Sequence, residues 1–363
     1  MTNSKSLRRY NKEPFFFLIF FLVSLQILAQ YPQVIISKIW DEGKHNAFTD
    51  LVRYESKFYC AFREGINHGP SLKHAPEAKD RKNGTVRVLV SNDSKKWTPL
   101  ALLELDGYDL RDPKLSVTPK GKLMLLMGGS VFVDGKLVRL KNHVSFYNKS
   151  SGSFSVPQPI TIDDKVNPDW NWLWNVTWDK KNGYGIVYQK RPDQKGNQIY
   201  LVRTTDGINY SYMSHLAVDH YVSESTLIIT PSKEMFVLAR RDSIDNGFYH
   251  ISSFMGRSKP PYNDWQWKNT GLPLGGPEFI YAGNEKFLLG TRSFREGKPH
   301  TSLFSMDTEG KYKQIIELPS EGDTSYPGMV IYNDTLWFSY YSSHEGKSII
   351  YFSHVPMKNI SYP

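Results

Sequence analysis

Apolar residues in this chain fall in short runs, joined in pairs across turns rather than spaced at helical intervals. Six times an apolar run meets a turn of small or charged residues and a second apolar run follows. The copies are Asp50–Tyr54 with Phe58–Arg63, Asp112–Val117 with Leu123–Met127, and Asn175–Trp178 with Tyr184–Tyr188. The same pattern returns at Glu224–Ile229 with Met235–Arg240, Pro277–Tyr281 with Phe287–Arg292, and Tyr326–Ile331 with Leu336–Tyr341. Marked at Leu51, Leu115, Val176, Leu227, Phe279 and Met329, the copies stand 64, 61, 51, 52 and 50 residues apart. Each pair has the turn chemistry of a β-hairpin. A second hairpin between copies carries a Ser/Thr-x-Asp-like corner, as at Ser91-Asn-Asp93, Thr204-Thr-Asp206 and Ser305-Met-Asp307. Weaker versions lie near 145–154 and 253–267. Two hairpins per period make a four-stranded blade. Six periods predict an all-β, six-bladed propeller forming a single domain over residues 30–363.

The first 29 residues break this pattern. Lys5, Arg8, Arg9 and Lys12 precede an apolar run over 15–23, and Ala29 offers a small residue for cleavage. This reads as a signal peptide, which predicts a secreted or periplasmic protein with no stable membrane insertion after cleavage. Removing it lowers the formal charge from +9 to about +6, with no basic runs left. No nucleic-acid partner is expected from so even a distribution. The lone Cys60 excludes an intrachain disulfide and sits in an apolar run, as a small core residue would. Neither a His-Glu-x-x-His motif nor paired-Cys spacing occurs, so no metal or other cofactor is expected. Aromatic residues make up 14% of the chain, with 26 Gly and 21 Pro, which suits packed strands and frequent turns.

The repeat turns distant positions into neighbours. In a propeller the start of each blade's first strand and the end of its second strand share one face near the axis. Five residues into each second strand stand Arg63, Gly128, Gln189, Arg240, Arg292 and Tyr341. At or just before each first strand stand Asp50, Arg111 with Asp112, Trp174 with Asn175, Glu224, Gly276 with Glu278, and Asp323 with Tyr326. Three arginines in register, Arg63, Arg240 and Arg292, repel one another unless an anion joins them. A carboxylate fits their planar forks. The competing reading is inter-blade salt bridging, Arg63 with Asp50 or Arg111 with Asp112.

These residues resemble the sialidase superfamily. Phe62-Arg63 is similar to its Phe-Arg-Ile-Pro segment, the Asp corners to its Asp-boxes, and Glu224, Arg240 and Arg292 to its Glu strand and later arginines. Asp323-Thr-Ser-Tyr326 precedes the last blade as the family's nucleophilic tyrosine does. The resemblance implies a retaining exo-glycosidase acting on a glycan with a terminal acidic sugar, such as a sialic, ulosonic or uronic acid. Tyr326 would be nucleophile and Glu224 its base, and the three arginines would hold the substrate carboxylate. The family's acidic residue has no clear counterpart, because Asn83-Gly84 stands at its place. Asp80 and His68 are the candidate acids.

Blander roles remain at this point: packing for Tyr326, a salt bridge to Arg240 for Glu224, and either sugar stacking or packing for Trp172 and Trp174. Two other functions also stay open, a non-catalytic glycan-binding propeller and a lyase acting on uronic acids.

Overall fold

The computed structural model describes residues 34–69, 83–167, 169–192, 196–218, 221–245 and 248–363. The expected signal segment lies outside them. Six sheets follow in chain order, antiparallel except where the short Thr161–Ile162 strand joins blade three's outer edge in parallel. Blade one is His45–Tyr54, Lys57–Gly65, Thr85–Ser91 and Thr98–Leu103. Blade two is Asp109–Val117, Leu123–Val133, Lys136–Asn148 and Gln158–Pro159. Blade three has an inner strand in two pieces, Trp172–Leu173 and Thr177–Asp179, then Asn182–Lys190, Asn197–Thr204 and Asn209–Leu216. Blade four is Val222–Ile229, Met235–Asp245, Phe248–Ser258 and Gln266–Asn269, and blade five is Glu278–Gly283, Lys286–Arg295, Lys298–Asp307 and Tyr312–Glu317. Blade six takes Thr324–Tyr332, Thr335–Ser342 and Ile349–Pro356 from the chain's end and Ser37–Trp40 from its beginning. That last strand closes the ring and covers the edge of Ile349–Pro356. The six-bladed propeller expected from the repeat is what the chain forms.

The turns explain the hairpins. Glu55 and Ser56, Asn284 and Glu285, and Asn333 and Asp334 are two-residue loops with both φ values positive. That geometry matches the twist of the flanking strands. At the outer corners one carboxylate oxygen collects successive backbone N–H groups. Asp93 accepts from Lys95 and Lys96, Asp206 from Ile208 and Asn209, and Asp307 from Glu309 and Lys311, all at 2.8–2.9 Å. This is why an aspartate recurs there.

Six apolar clusters fill the gaps between neighbouring blades. Each blade's two faces are therefore buried, and the strands read as apolar runs rather than alternating ones. Nearer the axis the inner strands lose register. Slips fall at Ala47–Asp50, Arg111–Lys114, Val222–Ser225 and Ser325–Gly328, and blade three is interrupted between Leu173 and Thr177. Phe48, Asp112 and Tyr326 sit at three of these slips with φ of 60°, 48° and 49°. Such bulges re-aim side chains that a regular strand would send elsewhere.

Candidate active site

Tyr326 is the centre of the axial cluster. Its hydroxyl donates to Glu224 Oε1 at 2.5 Å, across 102 residues of sequence and from blade six to blade four. The ring is 7% exposed and packs on Phe48, Trp174 and Tyr341. A Cβ on Gly276 would lie 2.2 Å from Tyr326 Cγ, so only glycine lets the blade-five backbone pass beneath the ring. Gly276, at φ +60°, also donates its N–H to Glu224 Oε2 at 2.6 Å. One small residue thus positions both the hydroxyl and the carboxylate.

Glu224 is held from the other side by Arg240, whose Nη1 donates to Oε2 at 2.9 Å. The salt bridge and the tyrosine contact coexist on different oxygens. Burial alone would raise the Glu224 pKa, but Arg240, the Tyr326 hydroxyl and the Gly276 N–H outweigh it and hold it below the ordinary value. Burial pushes the Tyr326 phenol well above its ordinary range, and Glu224 and Asp112 add to this against Arg292 and Arg240. The pair is therefore a neutral phenol beside an ionised carboxylate.

Three arginines surround it, and one of them differs from the expected set. Arg240 is pinned by Glu224 and by Asp242 at 3.1–3.2 Å. Its neighbour Arg241 instead stacks over Phe254. Arg292 donates through Nε and Nη2 to the Thr324 carbonyl at 3.0 and 2.8 Å, and lies 5.7 Å from the Tyr326 ring centre. Its Nη1 has no partner among the described residues. Arg111 is the third. It lies over Phe48 at 4.9 Å, 4.0 Å from Asp112, and its Nη2 reaches the His68 carbonyl at 3.5 Å.

Arg63 does not join them. It is 1% exposed, with Nε and Nη2 on Asp109 Oδ1 at 2.9 Å and Nη1 on the Asn67 carbonyl at 2.8 Å. All three nitrogens are engaged and the side chain is only 2% exposed, against 16% for the equally paired Arg240, so no ligand carboxylate can reach it. Gly84 seals the pair: its N–H donates to the same Asp109 oxygen at 2.7 Å, and a Cβ there would lie 2.2 Å from Arg63 Nε. The partner is Asp109, not the Asp50 that the salt-bridge reading named.

Asp112 is a buried carboxyl in a left-handed backbone conformation. Burial raises its pKa to about 6, opposed by Arg111 and reinforced by Glu224. Its Oδ1 has no hydrogen-bond partner among the described residues. Tyr188 of blade three shares this field, its phenol raised by burial and then by Glu224 and Asp112. Sequence reasoning missed Tyr188, and it missed Asp242. The second carried a signal, since residues two apart on a strand share a face and Asp242 follows Arg240 by two.

Four expected pocket residues serve the scaffold instead. Asp50 accepts the Leu115 N–H at 2.5 Å and lies 3.9 Å from the buried Lys114, which reaches Glu278 at 3.3 Å and Trp174 at 5.1 Å. This knot ties blades one, two, three and five beneath the pocket. Trp174 is 1% exposed and donates to the Pro277 carbonyl at 3.3 Å, so it packs under Tyr326 rather than stacking on a ligand. Trp172 is buried with it. Asn175 donates to Thr226 at 2.9 Å between blades three and four. Gln189 accepts the Asn167 N–H at 2.7 Å and braces a loop.

Asp323 and Tyr341 stand at the rim. The Tyr341 hydroxyl donates to Asp323 Oδ1 at 2.8 Å, while Oδ2 faces His45 Nε2 at 2.8 Å and His68 Nδ1 at 2.7 Å. His68 is thus brought to the site, together with His45, which the sequence had not marked. Asp80 lies outside the described residues.

The fold and this pocket define a class: a sialidase-like six-bladed propeller with a tyrosine, a glutamate and arginines on its axis. No family model and no curated protein matches the chain. Solved structures do. A protein of unknown function from Dyadobacter fermentans is 18% identical with a TM-score of 0.75, covering 90% of this chain and 99% of its own. The Trypanosoma rangeli sialidase in complex with the inhibitor DANA is 9% identical with a TM-score of 0.68, over 89% of this chain and 60% of its own. The GH93 α-L-arabinofuranosidase of Fusarium graminearum in complex with arabinobiose is 13% identical with a TM-score of 0.65, over 92% of this chain and 99% of its own. These likenesses show a fold that is shared with known glycosidases.

Proposed function

We propose that the protein is an exported, retaining exo-glycosidase of sialidase type that removes a terminal acidic sugar from glycans. The observation that carries the reading is the 2.5 Å hydrogen bond from Tyr326 to Glu224 on the axis. A neutral phenol is a suitable nucleophile here, because a carboxylate would repel the substrate's own. Arg292, Arg240 and Arg111 would receive that carboxylate. Glu224 takes the phenolic proton as the oxygen bonds to the anomeric carbon, and Asp112 gives a proton to the departing glycosidic oxygen. Asp112 then draws a proton from water, whose oxygen displaces Tyr326, and Glu224 returns the proton to the phenol. Two carboxyls driven apart by their surroundings, one held ionised and one raised to about 6, suit these two roles.

A screen of natural glycans bearing sialic, ulosonic or uronic acids, read by mass spectrometry of released monosaccharide, tests the substrate. Tyr326→Phe and Glu224→Gln are expected to abolish turnover while the circular-dichroism spectrum persists. Undiminished hydrolysis by Tyr326→Phe would sink the mechanism. A product absorbing in the ultraviolet would mean a lyase instead.

A further inference from the structure

Glu224, Tyr326 and the arginines leave one group of ligating side chains at the rim unused. We infer that His45, His68 and Asp323 form a binding site for a divalent transition-metal ion of the zinc class. His45 Nε2 and His68 Nδ1 both face Asp323 Oδ2, at 2.8 and 2.7 Å, and the three atoms lie within 4.8 Å of one another. Ligand atoms around a tetrahedral zinc sit about 2.0–2.2 Å from the ion, so shifts of under an ångström admit it. Two imidazoles and one carboxylate suit zinc and its neighbours, whereas calcium and magnesium call for oxygen ligands.

The surroundings already do what an outer shell does. Tyr341 donates to the other Asp323 oxygen at 2.8 Å, and the Asp323 N–H donates to Ser343 Oγ at 2.8 Å. The first bond holds the carboxylate and the second fixes the backbone that carries it. The His68 ring is fixed edge-on against Phe48, with centroids 5.1 Å apart. Such supports orient ligands and are worth about 10–100-fold in metal affinity. The His68 side chain is 49% exposed, so one side of the site is open to water or to a substrate hydroxyl or carboxylate. His45 and His68 belong to blade one and Asp323 to blade six. The ion would therefore clasp the ring near the seam where its two ends meet.

The test is titration of the chelator-stripped, purified protein with Zn²⁺ alone, followed by calorimetry, and with Co²⁺, followed by visible absorption. One equivalent is expected to bind, with a spectrum of low-coordinate Co²⁺. Asp323→Ala and His68→Gln should each weaken binding at least tenfold, and Tyr341→Phe about tenfold. His68 is half exposed, so its replacement keeps the fold even if the Asp323 variant does not. Less than half an equivalent bound, or wild-type affinity in His68→Gln, would overturn the site. Glycan hydrolysis is not the readout, so the glycosidase reading stands or falls separately.

Discussion

Asp112 and Glu224 both lie in the field of the Tyr326 phenol, yet their own pKa values are shifted in opposite directions. Glu224 has Arg240 and two hydrogen bonds; Asp112 has burial and a bare oxygen. If Asp112 is the acid, kcat/KM is highest below about pH 6 and falls about tenfold per unit above it. The Glu224 limb lies below the ordinary carboxylate range, so it should not trim activity until pH is well under that. Asp112→Asn is expected to remove the upper limb, and a retained limb would reassign the acid. Arg63 and Arg292 show why register alone is an incomplete guide. Both occupy the same repeat position, and the arithmetic that found Arg292 found Arg63 too. What separates them is Asp109, at the start of blade two's inner strand, a position the repeat comparison did not mark. The contrast is measurable. Asp109→Ala leaves a buried guanidinium without its partner, which should cost about 3–5 kcal/mol in chemical denaturation. Arg292→Ala should cost less, about 1–2 kcal/mol for its hydrogen bonds to the Thr324 carbonyl, and remove binding of acidic sugars.

Among the elements, the inner strands carry most of the site, and they do so where they are least regular. Asp112-Pro113, Gly276-Pro277 and Tyr326-Pro327 all put a left-handed residue before a proline, which has no N–H for the ladder. The hairpins were legible because turn residues repeat with the blades. The slips were not, because a lost pairing has no period of its own. Blade six's outer strand was also missed, since Ser37–Trp40 stands far from the strands it joins and belongs to no hairpin. Gly276 ties element to chemistry. Gly276→Ala adds left-handed strain of about 1–2 kcal/mol and a methyl group in the Tyr326 ring. It should lower kcat at least a hundredfold while the protein stays folded, and an active Gly276→Ala would mean that the ring is free to move.

At the scale of the whole molecule the ring is held by packing between blades and by one seam. The seam strand brings Trp40 against Phe62 at 6.0 Å, with Arg87 over its ring at 4.5 Å. Deleting residues up to Trp40 uncovers an edge on Ile349–Pro356, so lower thermal midpoints and aggregation are expected in light scattering. The inferred metal site was only partly legible for a related reason: His68 and Asp323 were marked for other roles, but His45 was not, because it neighbours Asp323 only where the first and last blades meet. Fold class and the convergence of Tyr326, Glu224, Arg240 and Arg292 were readable from one sequence, whereas partners away from the compared repeat positions, such as Asp109, were not. Beneath all of this lies the knot of Lys114, Asp50, Glu278 and Trp174, whose buried contacts join four of the six blades. A site closed behind by such contacts would be a blind well rather than a tunnel. A polymer can dip its tip into such a well but cannot thread through it, so products should be single sugars from the first minutes of a digest.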